Sequence, residues 1–261
     1  MNGVETIVDT YRRVEDKYVF DFNNIAPDKM NDTVYATLYA DYNGTEYASE
    51  TREYSIATYC YTMLEKYSSE TYSEFRTLLV DLLNYGACSQ TYTGYKTDTL
   101  VNAVLTPDQQ AWATEARTPN TVMNQGYETI DNPTVTWKGA GLVLKDRIEM
   151  RFKIEPERLE GLTAKITTEN DGEWIIPASQ FVQNPDNSKQ YYIYFKGLNA
   201  GQMSEPVYVT IYNGDTAVSN TIRYSIESYA YAHMNTTDAN LKELLIAMMK
   251  YGDAAKAYIT E

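Results

Sequence analysis

Two stretches of this chain carry the same order of apolar and polar positions. The first runs Tyr18-Val19-Phe20-Asp21-Phe22, Met30, Val34 to Tyr39, Tyr54-Ser55-Ile56 and Leu82 to Gly86. The second runs Tyr191 to Phe195, Met203, Val207 to Tyr212, Tyr224-Ser225-Ile226 and Met248 to Gly252. Residues 18–22 and 33–42 alternate with period two and are rich in Val, Tyr, Phe and Thr, which predicts strands. Asn43-Gly44, Asp171-Gly172 and Asn213-Gly214 are hairpin-turn signals. Further strands are predicted over 135–137, 141–144, 147–154, 162–168 and 173–176.

Helical periods follow the strands in each stretch. Residues 54–64 place Ile56, Tyr59, Cys60, Met63 and Leu64 on one side. Residues 72–92 place Phe75, Leu78, Leu79, Leu82 and Leu83 at i, i+3, i+4, i+7 and i+8, the apolar stripe of a packed helix. Leu241, Leu244, Leu245, Met248 and Met249 repeat that stripe. Gly86 and Gly252 fall at its next step, and glycine costs about 1 kcal/mol inside a helix. Its presence at both places predicts close contact between two helices.

The pattern predicts an α+β fold of two tandem units, each an antiparallel, sandwich-like β-layer followed by an α-helical hairpin. The first unit is placed at 1–92 and the second at 135–261. Residues 93–134 form a connector with short helices at 100–105 and 109–116, and its 117–134 part has little pattern. The strands ahead of Tyr191 have no counterpart ahead of Tyr18. The first unit is therefore expected to lack its opening strands, through natural shortening or through truncation inside a repeat, and truncation would leave sheet edges unpaired.

Charge narrows the partners. With 36 acidic against 22 basic residues and a formal charge of -14, the chain has the wrong sign for nucleic acid or for anionic lipid. No apolar run is long enough for a membrane span. Tyrosine is unusually frequent, at 25 against 6 Phe and 3 Trp. Most of these rings fit strand positions, and a few exposed ones would make a recognition surface. Cys60 and Cys88 stand where the second stretch has Ala230 and Ala254, so they are no required metal or redox pair. Lying on the two helices of one hairpin, they form a possible disulfide if the protein is exported. The sequons at Asn31, Asn43 and Asn235 are read as incidental.

The phrases Ala26-Pro27-Asp28-Lys29-Met30, Tyr54-Ser55-Ile56 and Leu83-Asn84-Tyr85-Gly86-Ala87 match a pattern of the form aP-xx-M, YS-xxx-Y and LNYGAAAQ-x-Y. Gly94 to Leu100 also matches its follow-on segment. The chain thereby resembles a tandem repeat module of secreted and cell-surface proteins of gut and rumen Clostridia. The second stretch departs from it at Ala200-Gly201-Gln202, which lacks the proline, and at Asp253. The resemblance implies an extracellular, bacterial cell-surface setting among other domains of a larger protein. It brings no catalytic residues.

Catalytic signatures are sparse. His233 is the single histidine, and Met63 stands at the matching place, so no Ser-His-Asp triad, Cys-His pair or histidine metal site can be assembled. There is no phosphate-binding glycine loop, and Asn170-Asp171-Gly172-Glu173 reads as a turn and not a calcium loop. No catalytic residue, metal site or cofactor is predicted. The reading is a non-catalytic binding or adhesion module for a host protein, such as an immunoglobulin, or a glycan. The alternatives are a spacer without a ligand and a glycan hydrolase using a carboxylate pair. Candidate ligand-binding residues are Tyr42, Tyr47, Tyr191 and Tyr212 near hairpin ends, with Trp112, Trp137 and Trp174 as stacking platforms.

Overall fold

Ser55 and Ser225 each start a helix in the same way. The serine stays extended and its hydroxyl accepts the amide N–H three residues on, from Thr58 and Ser228, both at 3.0 Å. These caps satisfy N–H groups that the first helical turn leaves without a partner. They begin α1 (Ile56–Lys66) and, much later, α4 (Ile226–His233). The computed structural model describes residues 5–23, 25–144, 147–170 and 172–259. It is a mixed α+β chain with antiparallel sheets, and it divides into two units between Ala113 and Thr114.

In the first unit the strands come first: β1 (Arg12–Val14), β2 (Lys17–Val19), β3 (Val34–Ala36), β4 (Tyr39–Tyr42), β5 (Thr45–Ala48) and β6 (Arg52–Tyr54). Among the described residues they pair as β1–β2, β3–β6 and β4–β5. Every residue of β4, β5 and β6 is exposed. The strand expected over 18–22 stops at Val19. Strand pairing ends there because, among the described residues, β2 has β1 as its neighbour and no sheet to join.

The unit's core is helical instead. α1 packs on α2 (Ser73–Thr93), and a single 3-10 turn at Pro27–Lys29 lies against α2. Leu79 and Leu83 are buried as the stripe requires, but Val80, Asp81 and Tyr85 are buried too. The reason is the chain beyond α2, which returns over its other side. Gln90 Oε1 accepts the Val101 N–H at 2.8 Å, and Thr77 donates to the Trp112 carbonyl at 2.8 Å. In that return, 100–104 are turns and the only helix is the short α3 (Pro107–Gln110). The helices expected at 100–105 and 109–116 thus shrink to one turn.

The second unit has the sandwich. Its strands are β7 (Asn124–Glu128), β8 (Val135–Leu144), β9 (Ile148–Pro156), β10 (Leu162–Thr168), β11 (Glu173–Pro177), β12 (Val182–Gln183), β13 (Tyr191–Phe195), β14 (Val207–Asn213), β15 (Thr216–Ala217) and β16 (Thr221–Tyr224). One sheet has the order β11-β10-β14-β16-β7 with β15 beside β14, and the other β12-β13-β9-β8. Burial alternates residue by residue along β9, β10 and β14, as strands with one inward face require. The inward faces meet: Phe152 contacts Tyr224 at 6.0 Å between ring centroids, and Trp174 contacts Phe195 at 4.9 Å. α4 packs on β8 and on α5 (Ala239–Ile259), which in turn covers a 3-10 turn at Ala200–Gln202.

Several boundaries differ from the sequence expectation. The stretch 93–134 divides between the units, and its supposedly patternless part contributes β7, paired with β16. β8 is one strand through 135–144, with a register shift between Trp137 and Gly139 joining the two pieces expected there. Asn43 and Gly44 both adopt positive φ, +53° and +78°, as a two-residue hairpin turn needs. The second hairpin turns one residue later than expected, at Gly214-Asp215, because Asn213 still pairs with Thr216. Asp171, half of the third expected turn, lies outside the described residues.

Gly86 and Gly252 do not serve a helix–helix contact. A Cβ on Gly86 would lie 2.8 Å from Met30 Sδ and 3.2 Å from the Pro27 carbonyl oxygen. One on Gly252 would lie 2.9 Å from Met203 Sδ and 3.3 Å from the Ala200 carbonyl oxygen. Each glycine makes room for the 3-10 turn and its methionine.

Candidate functional site

Tyr35, Tyr39, Tyr42, Tyr47 and Tyr54 are all exposed on one feature, an arm formed by residues 34–54 of the first unit. Its two ribbons are joined across an irregular step. Leu38 N–H donates to Ser49 Oγ at 3.0 Å, Ser49 N–H donates to the Leu38 carbonyl at 2.9 Å, and the Thr37 and Thr51 hydroxyls bond at 2.8 Å. Two residues on one side oppose three on the other, the count of a β-bulge. At the tip, Asp41 Oδ1 accepts the Gly44 N–H at 3.1 Å and ties down the turn.

Register sets which rings share a face. Ala40 opposes Tyr47 and Tyr42 opposes Thr45, so strand alternation puts Tyr42 and Tyr47 on the same side of the ribbon. They are 70% and 58% exposed. Tyr39 occupies the other side with Asp41 and Glu46, and is also exposed.

The remaining candidates are placed elsewhere. Trp112 lies in the first unit with the Arg76 guanidinium 4.3 Å from its ring centroid. Trp137 donates its indole N–H to the Asn220 carbonyl at 2.7 Å and packs edge-on to Phe152. Trp174 meets Phe195 between the sheets. These three rings are in packing roles. Tyr191 and Tyr212 are half-buried on β13 and β14. Cys60 and Cys88 are thiols. Cys60 is fully buried, and burial pushes its pKa up to about 12, which leaves little reactive thiolate. His233 stacks on Tyr229 and its Nδ1 lies 2.8 Å from the Tyr229 carbonyl oxygen.

Sequence reasoning missed a polar cluster in the second unit. Arg117 bonds Asp253 through Nε at 2.7 Å and Nη2 at 2.9 Å, Ser204 at 3.1 Å, and Glu227 through Nη1. Glu227 also accepts the Asn120 N–H at 2.7 Å. The first unit has Ala57 and Ala87 at the places of Glu227 and Asp253, so no duplicated pattern announced the cluster. Burial raises the Glu227 pKa, but bonds from Arg117, Asn120 and Ser204 outweigh it and hold the carboxyl below its ordinary value. A general acid needs the opposite shift. The cluster straps residues 117–122 onto α4, with Val122 N–H donating to Ser228 Oγ at 3.1 Å.

This assigns Arg117→Met a measurable cost. With the arginine gone, Glu227 stays buried and has lost its cation. We expect a loss of about 2 kcal/mol at neutral pH by urea denaturation, discounted because Arg117 is partly exposed. The sign with pH follows from linkage. A carboxyl whose folded pKa is depressed contributes stability above its ordinary value and loses it as pH falls through the folded one. The gap between wild type and variant should therefore narrow as pH drops below the ordinary Glu value. A gap that stays constant into acid would refute the role given to Glu227.

Among the described residues, no group of three or more His, Cys, Asp or Glu is placed to hold a metal ion. No helix among them is long and apolar enough to cross a membrane. No family model, curated protein or solved structure matches this chain.

Proposed function

We propose that the chain is a tandem pair of one module and serves as a non-catalytic binding module of a bacterial cell-surface protein. Its ligand is a host protein, such as an immunoglobulin, or a glycan. The supporting observation is the placement of Tyr42 and Tyr47 together on one exposed face of a turn-locked ribbon. Tyrosine gives contact area at little conformational-entropy cost, and a ribbon with a fixed tip presents it preorganised. A spacer should display similar surfaces in both units. Here the exposed aromatic arm belongs to the first unit, and Tyr212 of the second is half-buried.

The test is a binding screen of the immobilised protein against immunoglobulins and a glycan panel, beside a Tyr42→Ser/Tyr47→Ser double variant. A response is expected on one panel and should weaken at least about tenfold in the variant, the scale of losing two contact rings. Both side chains are exposed, so the variant should melt as the parent does. Silence on both panels would leave the spacer as the better reading.

A further inference from the structure

Among the described residues each unit has one Asn-Gly pair at a hairpin, and both pairs follow a tyrosine. They are held differently. Asn43 and Gly44 are the two central residues of the β4–β5 turn, and both have positive φ, +53° and +78°. That is the geometry of a type I′ turn. Asn213 is the last residue of β14, paired with Leu162 on one side and Thr216 on the other. The turn beyond it begins at Gly214, with φ +58°. The Asn213 carboxamide also packs on the connection between β9 and β10. Its Oδ1 lies 3.1 Å and its Cγ 3.9 Å from where a Cβ on Gly161 would stand. Asn43 is exposed, and a Cβ on Gly44 would meet nothing within 4 Å. A third such pair, Asn2-Gly3, lies outside the described residues.

An Asn-Gly pair can close on itself. The glycine nitrogen bonds to the asparagine Cγ and gives up its proton, the bond from Cγ to Nδ2 breaks, and ammonia leaves. Water then opens the five-membered succinimide. Attack at the side-chain carbonyl gives aspartate, and attack at the main-chain carbonyl gives isoaspartate, whose main chain runs through the side-chain carbon. Ring closure needs Cβ and the next nitrogen on the same side of the Cα–C bond. The first central residue of a type II′ turn meets that condition, at about φ +60° and ψ −120°. Asn43 already has this φ. Turning over the one peptide plane between Asn43 and Gly44 supplies the ψ and sends Gly44 to negative φ, which glycine adopts freely. Types I′ and II′ both close a two-residue hairpin, so the strands stay paired through the change. Asn213 has a strand's backbone, and the same rotation there parts it from Thr216.

We propose that Asn43 is a site of self-modification, cyclising through Gly44 and hydrolysing to aspartate and isoaspartate, and that Asp41 restrains it. Asp41 Oδ1 accepts the Gly44 N–H at 3.1 Å, and this bond breaks when the peptide plane turns over. Either product places a new carboxylate beside a cross-strand pair that already sets Asp41 opposite Glu46, an unfavourable arrangement of like charges. Isoaspartate also adds a carbon to the main chain of the turn. The length of that turn sets Ala40 opposite Tyr47 and Tyr42 opposite Thr45. The modified chain therefore loses the register that puts Tyr42 and Tyr47 on one face. That this loss weakens ligand binding rests on the function proposed above; the reaction itself does not.

The test incubates the full chain at mildly alkaline pH, with samples digested at intervals and mapped by mass spectrometry. The map reads carboxamide replaced by carboxyl at each asparagine, and methylation by an isoaspartyl methyltransferase reads the isoaspartate. In the folded chain Asn43 should convert at least about tenfold faster than Asn213, whose reaction waits on the opening of a paired strand. In urea, where neither hairpin exists, the two rates should converge. Asp41→Ala should speed conversion at Asn43 about two- to tenfold, the weight of one hydrogen bond. Asn43→Ser should leave only the slower site. Equal rates at Asn43 and Asn213 in the folded chain, conversion at Asn43 in urea alone, or no acceleration by Asp41→Ala overturns the proposal. A chain that converts at Asn43 but binds neither immunoglobulin nor glycan would keep this site and discard the proposed function.

Discussion

Ile211→Ala is expected to destabilise the protein by about 2–5 kcal/mol, the usual range for a buried aliphatic side chain cut to alanine. Leu38→Ala, at the equivalent place in the first unit, is expected to cost less than about 0.5 kcal/mol. The chemistry removed is nearly the same in the two variants. The difference lies in what surrounds it. Ile211 is sealed between two sheets, so truncation removes dispersion contacts and leaves a cavity. Leu38 is open to water on its ribbon and has no enclosing wall to leave behind. Urea denaturation of both variants decides the point. Equal losses would mean that the first ribbon is covered in solution, and its assignment as an open face would fall.

That asymmetry was only half legible in the sequence. The duplicated phrase Val-Tyr-x-Thr-x-Tyr marked a strand in both stretches. The extent of exposure was not legible, because alternation reports which face a strand would bury and not whether anything arrives to bury it. Phe20 and Phe22 alternate as well as Ile193 and Phe195 do, yet only the second pair finds a sheet. Chain tracing through 94–134 was also poorly legible. Gln90, which clamps Val101, and Arg117, which clamps α4, hold irregular segments by single polar side chains, and no period marks them. The hairpin turn at Asn43-Gly44 was legible, and a turn of that length fixes the register that sets Tyr42 and Tyr47 on one face. The placement of the tryptophans was not legible, because an indole on a strand suits a surface or a sheet-to-sheet contact equally; Trp137 packs on Phe152 and Trp174 on Phe195.

Gly252→Leu should cost about 3 kcal/mol, the upper end of what overpacking does, and lower the melting temperature by roughly 10 °C. The same substitution at Gly86 should act alike on the first unit. A leucine side chain at either place starts from a Cβ already within 3.3 Å of a 3-10 turn carbonyl, and that oxygen is backbone. The turn cannot simply retreat. The carbonyl of its following methionine accepts the amide of the second residue of a later helix, Met30 that of Ala57 in α1 and Met203 that of Glu227 in α4. Displacing the turn would therefore disturb that helix start as well. Alanine separates the steric cause from the conformational one. Gly252→Ala gains about 1 kcal/mol of helix propensity, while its single methyl meets Met203 Sδ at 2.9 Å, which can swing aside, and the Ala200 oxygen at 3.3 Å, a tight contact without the overlap that leucine's further branch adds. Its net effect should be near zero, so a large loss for leucine beside little change for alanine identifies the 3-10 turn as the obstacle. Leucine variants that melt with the parent would show that the turn is not held against α2 and α5, and the shared architecture drawn from those two glycines would be wrong.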